Sequence, residues 1–387
     1  MLSIGVAGAG VGGLTAALAL AEAGFRDISV YEAGTPGAAP DMGLVLSPNA
    51  TRILHALGLK DALHTVCSYP QAQLQRTWRN GFLLSQRPLG QFAEDRYGAP
   101  HCIVAHQDLL GLLLEACNVC EITVVGRPCT ELSQAHGRVR VGLDEQNNNH
   151  DVLIGCDGAD SLVRDHLSYP PPVAAAFEVS WGRAAIDKLP RSLATDAITT
   201  WLGPGQFLTH WPSPNGKEVE YLALVAEGAA NQSSRFASSH QNWHHNVRAL
   251  LDADDSRDAQ PVGEHQPITQ WYDRRIVLLG DACHTLPPHL QQGAALAMED
   301  AWVLSRMLER WEDDPGAGFE EYQRYRKVRI TRVRRASRSF AEQWTLSAPN
   351  AVRLRNLKLS LMSRFLPEMT MAQLDWLYEY DCIKGFE

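Results

Sequence analysis

Hydrophobic positions in the first 33 residues fall into three blocks. An apolar run at 4–7 reads as a buried strand, an apolar face over 14–23 closed by Gly24 reads as a helix, and 28–33 reads as a second strand. With glycines joining the first two, the blocks predict a βαβ unit. A loop from Gly43 leads to a helix starting at Pro48 and ending by Gly58. Residues 68–104 alternate and carry many turn formers, which predicts antiparallel strands. The pattern then predicts a helix over 107–117, strands at 121–126 and 138–143, and a return to the first sheet at 151–156. A second β-rich stretch covers 176–228, with turns at Pro204-Gly205 and Pro214-Asn215-Gly216. After a polar helix at 241–251 and a linker, a buried strand at 275–280 precedes a long helix carrying Ala294, Leu296, Ala297, Ala301, Leu304 and Leu308, then another at 319–347. The expected organisation is a discontinuous nucleotide-type domain (1–67, 101–175 and 266–345), an inserted β-rich domain (68–100 and 176–265) and a C-terminal helical segment (346–387).

Composition narrows the function classes. At 387 residues the chain can bury a substantial core. A net charge of −9 argues against nucleic acid, because neutralising phosphates requires an excess of Lys and Arg. No apolar run approaches the roughly 18 to 20 residues that cross a bilayer, and no secretory signal precedes the first strand, so a cytoplasmic protein without a membrane partner is expected. The eight cysteines are scattered, and Cys117-x-x-Cys120 lacks a second pair at zinc-site distance, so ordinary free thiols and no metal are expected. His240, His244 and His245 lie in a polar stretch and read as solvated helix surface.

Three separated segments carry candidate chemistry. In Gly8-Ala9-Gly10-Val11-Gly12-Gly13, Gly8 allows a tight turn, Gly10 lets backbone approach a pyrophosphate and Gly13 lets helix and strand pack closely. Glu32, followed by Ala33, ends the second strand, where a carboxylate accepts hydrogen bonds from both ribose hydroxyls of an adenosine. Alone, this pattern indicates only a dinucleotide. Cys156-Asp157-Gly158 and Gly280-Asp281-Ala282-Cys283-His284, the latter followed by Pro287-Pro288-His289-Leu290-Gln291-Gln292-Gly293, convert it into a flavin site.

With these motifs in order, the chain resembles the group A flavoprotein aromatic hydroxylases, in the branch of salicylate hydroxylase and 6-hydroxynicotinate 3-monooxygenase. The likeness extends through Gly43-x-x-Leu46-x-Pro48-Asn49-Ala50, His106-Gln107-x-Leu109, Asp157-Gly158-x-x-Ser161-x-Val163-Arg164, Trp201 to Gly205 and Glu299-Asp300-Ala301. It implies an α/β fold: a Rossmann-like FAD-binding domain of the p-hydroxybenzoate hydroxylase type, with an inserted β-rich substrate domain and C-terminal helices. It also implies an FAD-dependent monooxygenase that uses NAD(P)H and O2 to hydroxylate a small aromatic compound, salicylate-like or a pyridine carboxylate, through a flavin C4a-hydroperoxide. Alternatives within reach are tailoring of a natural product by epoxidation or N-hydroxylation, and a flavin-binding sensor without turnover; the protein would be a monomer or homodimer. By resemblance, Asp281 meets a ribityl hydroxyl, Pro288 lies against the flavin, and Gly293 and Ala294 open a helix toward reduced flavin. Asp157 falls in a motif shared by FAD and NAD(P)H, Gln107 meets the flavin side chain and phosphates, and Cys129 contacts adenine through its backbone.

For the substrate, the candidates are His210, Trp211 and His289, since a histidine near the flavin can relay a proton. His210 points away if its strand presents the other face. Val45, Phe207 and Trp211 stand where the 6-hydroxynicotinate enzymes carry polar groups, which implies a more apolar pocket. Arg183 either meets a carboxylate or forms an ion pair. The eight basic residues between Arg324 and Arg338 form a solvated or interdomain helix face or dock dinucleotide phosphates, and the tail around Trp376 to Asp381 packs on the sheet.

Overall fold

The computed structural model describes residues 1–38, 42–143, 146–169, 177–226, 240–254, 258–262 and 266–386. Strand Ser3–Ala7 pairs in parallel with Asp27–Tyr31 on one side and Val152–Gly155 on the other, and the sheet extends outward to Thr123–Val125 and to Ile276–Leu278. Its central strand is buried throughout, which explains the unbroken apolar run: a parallel strand covered on both faces has no solvent side. Helix Val11–Glu22 packs against helix Gly293–Arg310, so residues almost 300 positions apart in the sequence share one core.

A second sheet of seven strands is ordered Asp258–Val262, Phe177–Ala185, Glu218–Ala226, Gln206–Pro212, Ala197–Leu202, Ala72–Thr77 and Leu83–Pro88. Pairing carries Gln73 opposite both Arg87 and Ile198, and Trp211 opposite Glu220. Because strand side chains alternate, His210 and Trp211 occupy opposite faces.

Several expectations change. The 68–104 stretch is not all antiparallel sheet: helix Gly90–Tyr97 interrupts it, and Cys102–Ala105 pairs with Gly43–Leu46 in a separate small sheet. Helix His245–Asp252 is shorter than the polar helix expected there, being preceded by a single 3-10 turn at His240–Asn242; residues 255–257 and 263–265 of the linker that follows lie outside the described residues. The basic helix, Pro315–Trp344, is not uniformly solvated, since Arg326, Arg329 and Arg334 are buried. Arg326 pairs with Asp300 at 2.7 Å and Glu299 at 2.8 Å, and Arg329 pairs with Glu299 at 3.0 Å. The tail packs on these arginines rather than on the sheet, with the Tyr380 ring 4.0 Å from the Arg329 guanidinium. No helix among the described residues is long and apolar enough to cross a membrane.

Candidate active site

The glycine turn and the Asp281 segment face one cavity. About 290 Å³ in volume, it is lined by Gly10, Val11 and Gly12 from the first turn, by Cys156 and Gly158, by Gly280 and Asp281, and by Gly293 and Ala294. A side chain on Gly13 would meet the Gly8 carbonyl oxygen at 1.9 Å, so close packing demands glycine there. At Gly10 and Gly293 an added Cβ meets nothing within 4 Å and would stand in open space. That is the shape of a cradle held open for a ligand that approaches backbone, and FAD fits the donor set.

Glu32 accepts a hydrogen bond from the Ala9 N–H at 2.7 Å and one from the Gly34 N–H at 3.1 Å, which fixes its carboxylate beside the turn. Ala33 is exposed next to it. Burial raises the thiol of Cys129 to about 12, with the charges of Asp157 and Glu32 adding to it, which places Cys129 near both. Asp157 turns away from the cavity: it accepts from Ser161 Oγ and from the Val163 N–H at 3.2 Å, holding the short helix Leu162–His166. Gln107 sits in the first turn of helix His106–Val119, beside His106 on the cavity wall. Asp281 is exposed to the cavity, and desolvation by the protein atoms around it raises its carboxyl against the opposing pull of His284.

A second, tighter cleft of about 40 Å³ lies across the chain from the first. Leu44 faces the first cavity and Val45 the second; likewise His289 to Gln292 line the second and Gly293 and Ala294 the first. Two short segments therefore form a wall common to both. Pro288 opens a 3-10 turn, Pro288–Leu290, that sets His289 in this wall. His289 is 4% exposed, neither ring nitrogen has a partner among the described residues, and burial holds its pKa down at about 4. Phe177 and Phe207 pack on it at 5.1 and 5.3 Å between ring centroids.

The other two substrate candidates are not brought to this cleft. His210 lines a separate cavity of about 220 Å³ on the far face of the sheet, with Trp201 and His244. His244 is half-buried and stacked on Trp201 at 4.9 Å, so it is not free helix surface. Trp211 lies on the opposite face from His210, where its indole donates to Glu220 at 2.9 Å, and the same carboxylate accepts from the Gly43 N–H at 2.6 Å. It thereby fastens the start of strand Gly43–Leu46. Arg183 pairs with Glu218 at 3.6 Å, partly exposed.

One group of residues emerges only from the structure. Asn49 donates to Glu299 at 2.7 Å and to Gln292 at 3.1 Å, while Gln292 donates to Ser47 at 3.0 Å. Asp300 holds His284 at 2.6 Å and the Gly280 N–H at 3.1 Å. Adjacent acids on one buried helix thus fasten the Ser47 loop, the Asp281 turn and the start of helix Gly293–Arg310, the segments that enclose the cavity. The Glu299-Asp300-Ala301 and Asn49 motifs signalled these positions without showing what they bind.

Known proteins resemble this chain in sequence and in fold. The family model described as FAD binding domain matches residues 1–337. The chain is 31% identical to the 3-amino-4-hydroxybenzoate 2-monooxygenase PtmB3 of Streptomyces platensis, covering 99% of this chain and 96% of that protein. It is 30% identical to the 6-hydroxynicotinate 3-monooxygenase of Bordetella bronchiseptica, over 86% of this chain and 90% of the relative. The crystal structure of Klebsiella pneumoniae HpxO with FAD and uric acid superposes with a TM-score of 0.83 at 24% identity, covering 96% of each chain.

Proposed function

Since this chain belongs to the FAD binding domain family and is an FAD-dependent monooxygenase of the aromatic hydroxylase kind, we propose that it hydroxylates a small aromatic acid, salicylate-like or a pyridine carboxylate, at the cleft beside His289. The observation that carries this reading is the wall shared by the two cavities, which brings a ring in one within reach of a flavin in the other. FAD, when bound, would supply the redox chemistry that couples NAD(P)H oxidation to insertion of one atom of O2 into the ring, the other leaving as water.

The chain's own residues bind, orient and shield. Glu32 accepts from the adenosine ribose, while Gly8, Gly10, Val11, Gly12 and Gly13 give the pyrophosphate a backbone approach at a helix N-terminus. Asp281 accepts from the ribityl chain, and Gly293 and Ala294 present the positive end of their helix to negative charge on the ring system. Cys129, Gln107, Ala33 and Asp157 flank the adenosine and phosphate end. Pro288 stiffens the turn, and His289 offers a neutral ring nitrogen as acceptor for a phenolic O–H. Phe177 and Phe207 pack on the His289 ring and hold it in place. All eight cysteines are free, which fits a cytoplasmic enzyme, acting as monomer or homodimer.

The test is a screen of aromatic acids, phenols and pyridines for stimulated NADH or NADPH oxidation with an oxygenated product. Purified protein should be yellow, and Asp281→Ala should shed FAD on gel filtration. A colourless protein with no affinity for FAD, or oxidation that no aromatic stimulates, would sink the proposal.

A further inference from the structure

Next to the His289 cleft lies a chamber of about 320 Å³, within the roughly 300 to 1,000 Å³ typical of small-ligand pockets. Arg87, Phe340 and Trp344 line both spaces and form the partition between them. The chamber's charged lining consists of Arg87, Arg355 and Lys358, with no Asp or Glu, although the chain as a whole carries a net charge of −9. Its outer wall belongs to helix Pro349–Phe365, in the C-terminal segment that sequence motifs leave without a role.

Among the described residues, neither the partly buried Arg87 nor the buried Arg355 has an acid partner. Arg87 donates to the Thr370 carbonyl at 3.1 Å and to the amide oxygens of Gln73 and Gln373 at 3.4 and 3.3 Å. Arg355 is 6% exposed and donates to the carbonyls of Gln343 and Trp344 and to Asn356. Desolvation by the surrounding protein lowers the pKa of both groups, which are met by carbonyl and amide oxygens and, among the described residues, by no carboxylate. Guanidinium groups elsewhere in this core are treated differently, as the Arg326 and Arg329 pairs with Glu299 and Asp300 show. A carboxylate presented to Arg87 would supply the missing counter-charge by a charge-assisted bond.

We propose that this chamber is an anion-selective antechamber, in which an aromatic carboxylate lodges against Arg87 before its ring passes the Phe340 and Trp344 partition into the His289 cleft. The cleft at about 40 Å³ holds little more than one water, so a ring enters it only when that partition moves, whereas the chamber has room for a ring as it stands. This inference rests on the hydroxylase reading and adds to it where and by which charge the substrate is selected.

FAD-loaded protein is titrated with salicylate, 3-amino-4-hydroxybenzoate and 6-hydroxynicotinate and with the three matching carboxamides, following flavin absorbance and tryptophan fluorescence. Wild type should bind at least one acid about tenfold tighter than its amide. Arg87→Met should raise the Kd of that acid by roughly 10- to 100-fold and shift the amide by less than about twofold, with Arg87→Lys restoring part of the preference. Lys358→Glu, on an exposed side chain, should weaken the acid about threefold at low salt and converge with wild type at high salt. Should Arg87→Met fail to fold, the salt-dependent acid and amide split in Lys358→Glu decides the matter. Equal binding of acids and amides by wild type, a preference that survives Arg87→Met, or a Lys358→Glu effect confined to the KM of NADH would each overturn the antechamber. Turnover of a neutral phenol without any acid leaves hydroxylation standing and removes only the chamber; no stimulation by any aromatic removes both.

Discussion

At the scale of single residues, His289 shows how burial sets chemistry. An imidazole packed between Phe177 and Phe207 loses the hydration that stabilises its cation, so its pKa sits at about 4 and the ring is neutral at physiological pH. Both nitrogens lack partners, which is costly unless a ligand completes them. His289→Ala should therefore lower kcat on a phenolic substrate by roughly a hundredfold while FAD stays bound. Steady-state kinetics with flavin quantification checks this, and an unchanged kcat would remove His289 from the chemistry. Since the ring is already neutral, wild-type kcat should show no inflection from His289 between about pH 6 and 8.

At the scale of elements, the first turn separates two demands that glycine meets. Gly13 lies where helix and strand touch, and a methyl group there would collide with the Gly8 carbonyl. Gly10 has free space before it, so its methyl would crowd a bound ligand and nothing else. Gly10→Ala should consequently melt within about 2 °C of wild type in the FAD-free form yet bind FAD at least about tenfold more weakly, whereas Gly13→Ala should melt several degrees lower. Differential scanning fluorimetry with FAD titration separates the two. Equal FAD affinity in Gly10→Ala and wild type would place the pyrophosphate elsewhere. The Asn49, Gln292 and Glu299 bonds act at this same level, tying a loop to a helix start across about 240 residues of sequence.

At the scale of the whole molecule, buried neutral histidines couple stability to pH. His101 and His210 are held at about 3, and His289 at about 4, all chiefly by burial, whereas an unfolded imidazole titrates near 6.5. Between those values the unfolded chain takes up protons that the folded chain refuses, so stability falls as pH falls from about 6.5 toward 4, each group contributing roughly 1.4 kcal/mol per pH unit. Glu299 and Asp300 act in the same direction at lower pH. Burial raises both, but Arg329 and Arg326 outweigh it at Glu299, and His284 and Arg326 at Asp300, so both carboxyls lie below their usual values and their contribution disappears on further acidification. Urea midpoints should drop between pH 7 and 5, and His210→Phe should flatten that slope. A midpoint independent of pH across this interval would show that these rings are hydrated after all.

Local rules carried far in this chain, because strand, glycine turn, helix and acid within residues 3–32 are set by neighbours in sequence. The same holds for the Asp281 block and for the alternating strands of the second sheet. What escaped was decided by long-range packing. Helix Gly90–Tyr97 and the pairing of Cys102–Ala105 with Gly43–Leu46 depend on which strands meet. The face shown by His210 depends on register, since one step along a strand reverses direction. Basic residues 324–338 look alike in sequence, yet three are interior, Arg326 and Arg329 opposite Glu299 and Asp300 and Arg334 against the Thr285 carbonyl, and the others lie outside. Sequence alone thus gave away the dinucleotide turn and the α/β architecture, because both rest on short-range backbone geometry, and the order of three separated motifs pointed to FAD. Only the tertiary structure decided which side chains meet a substrate, because that is a matter of desolvation and of charges brought together from distant segments.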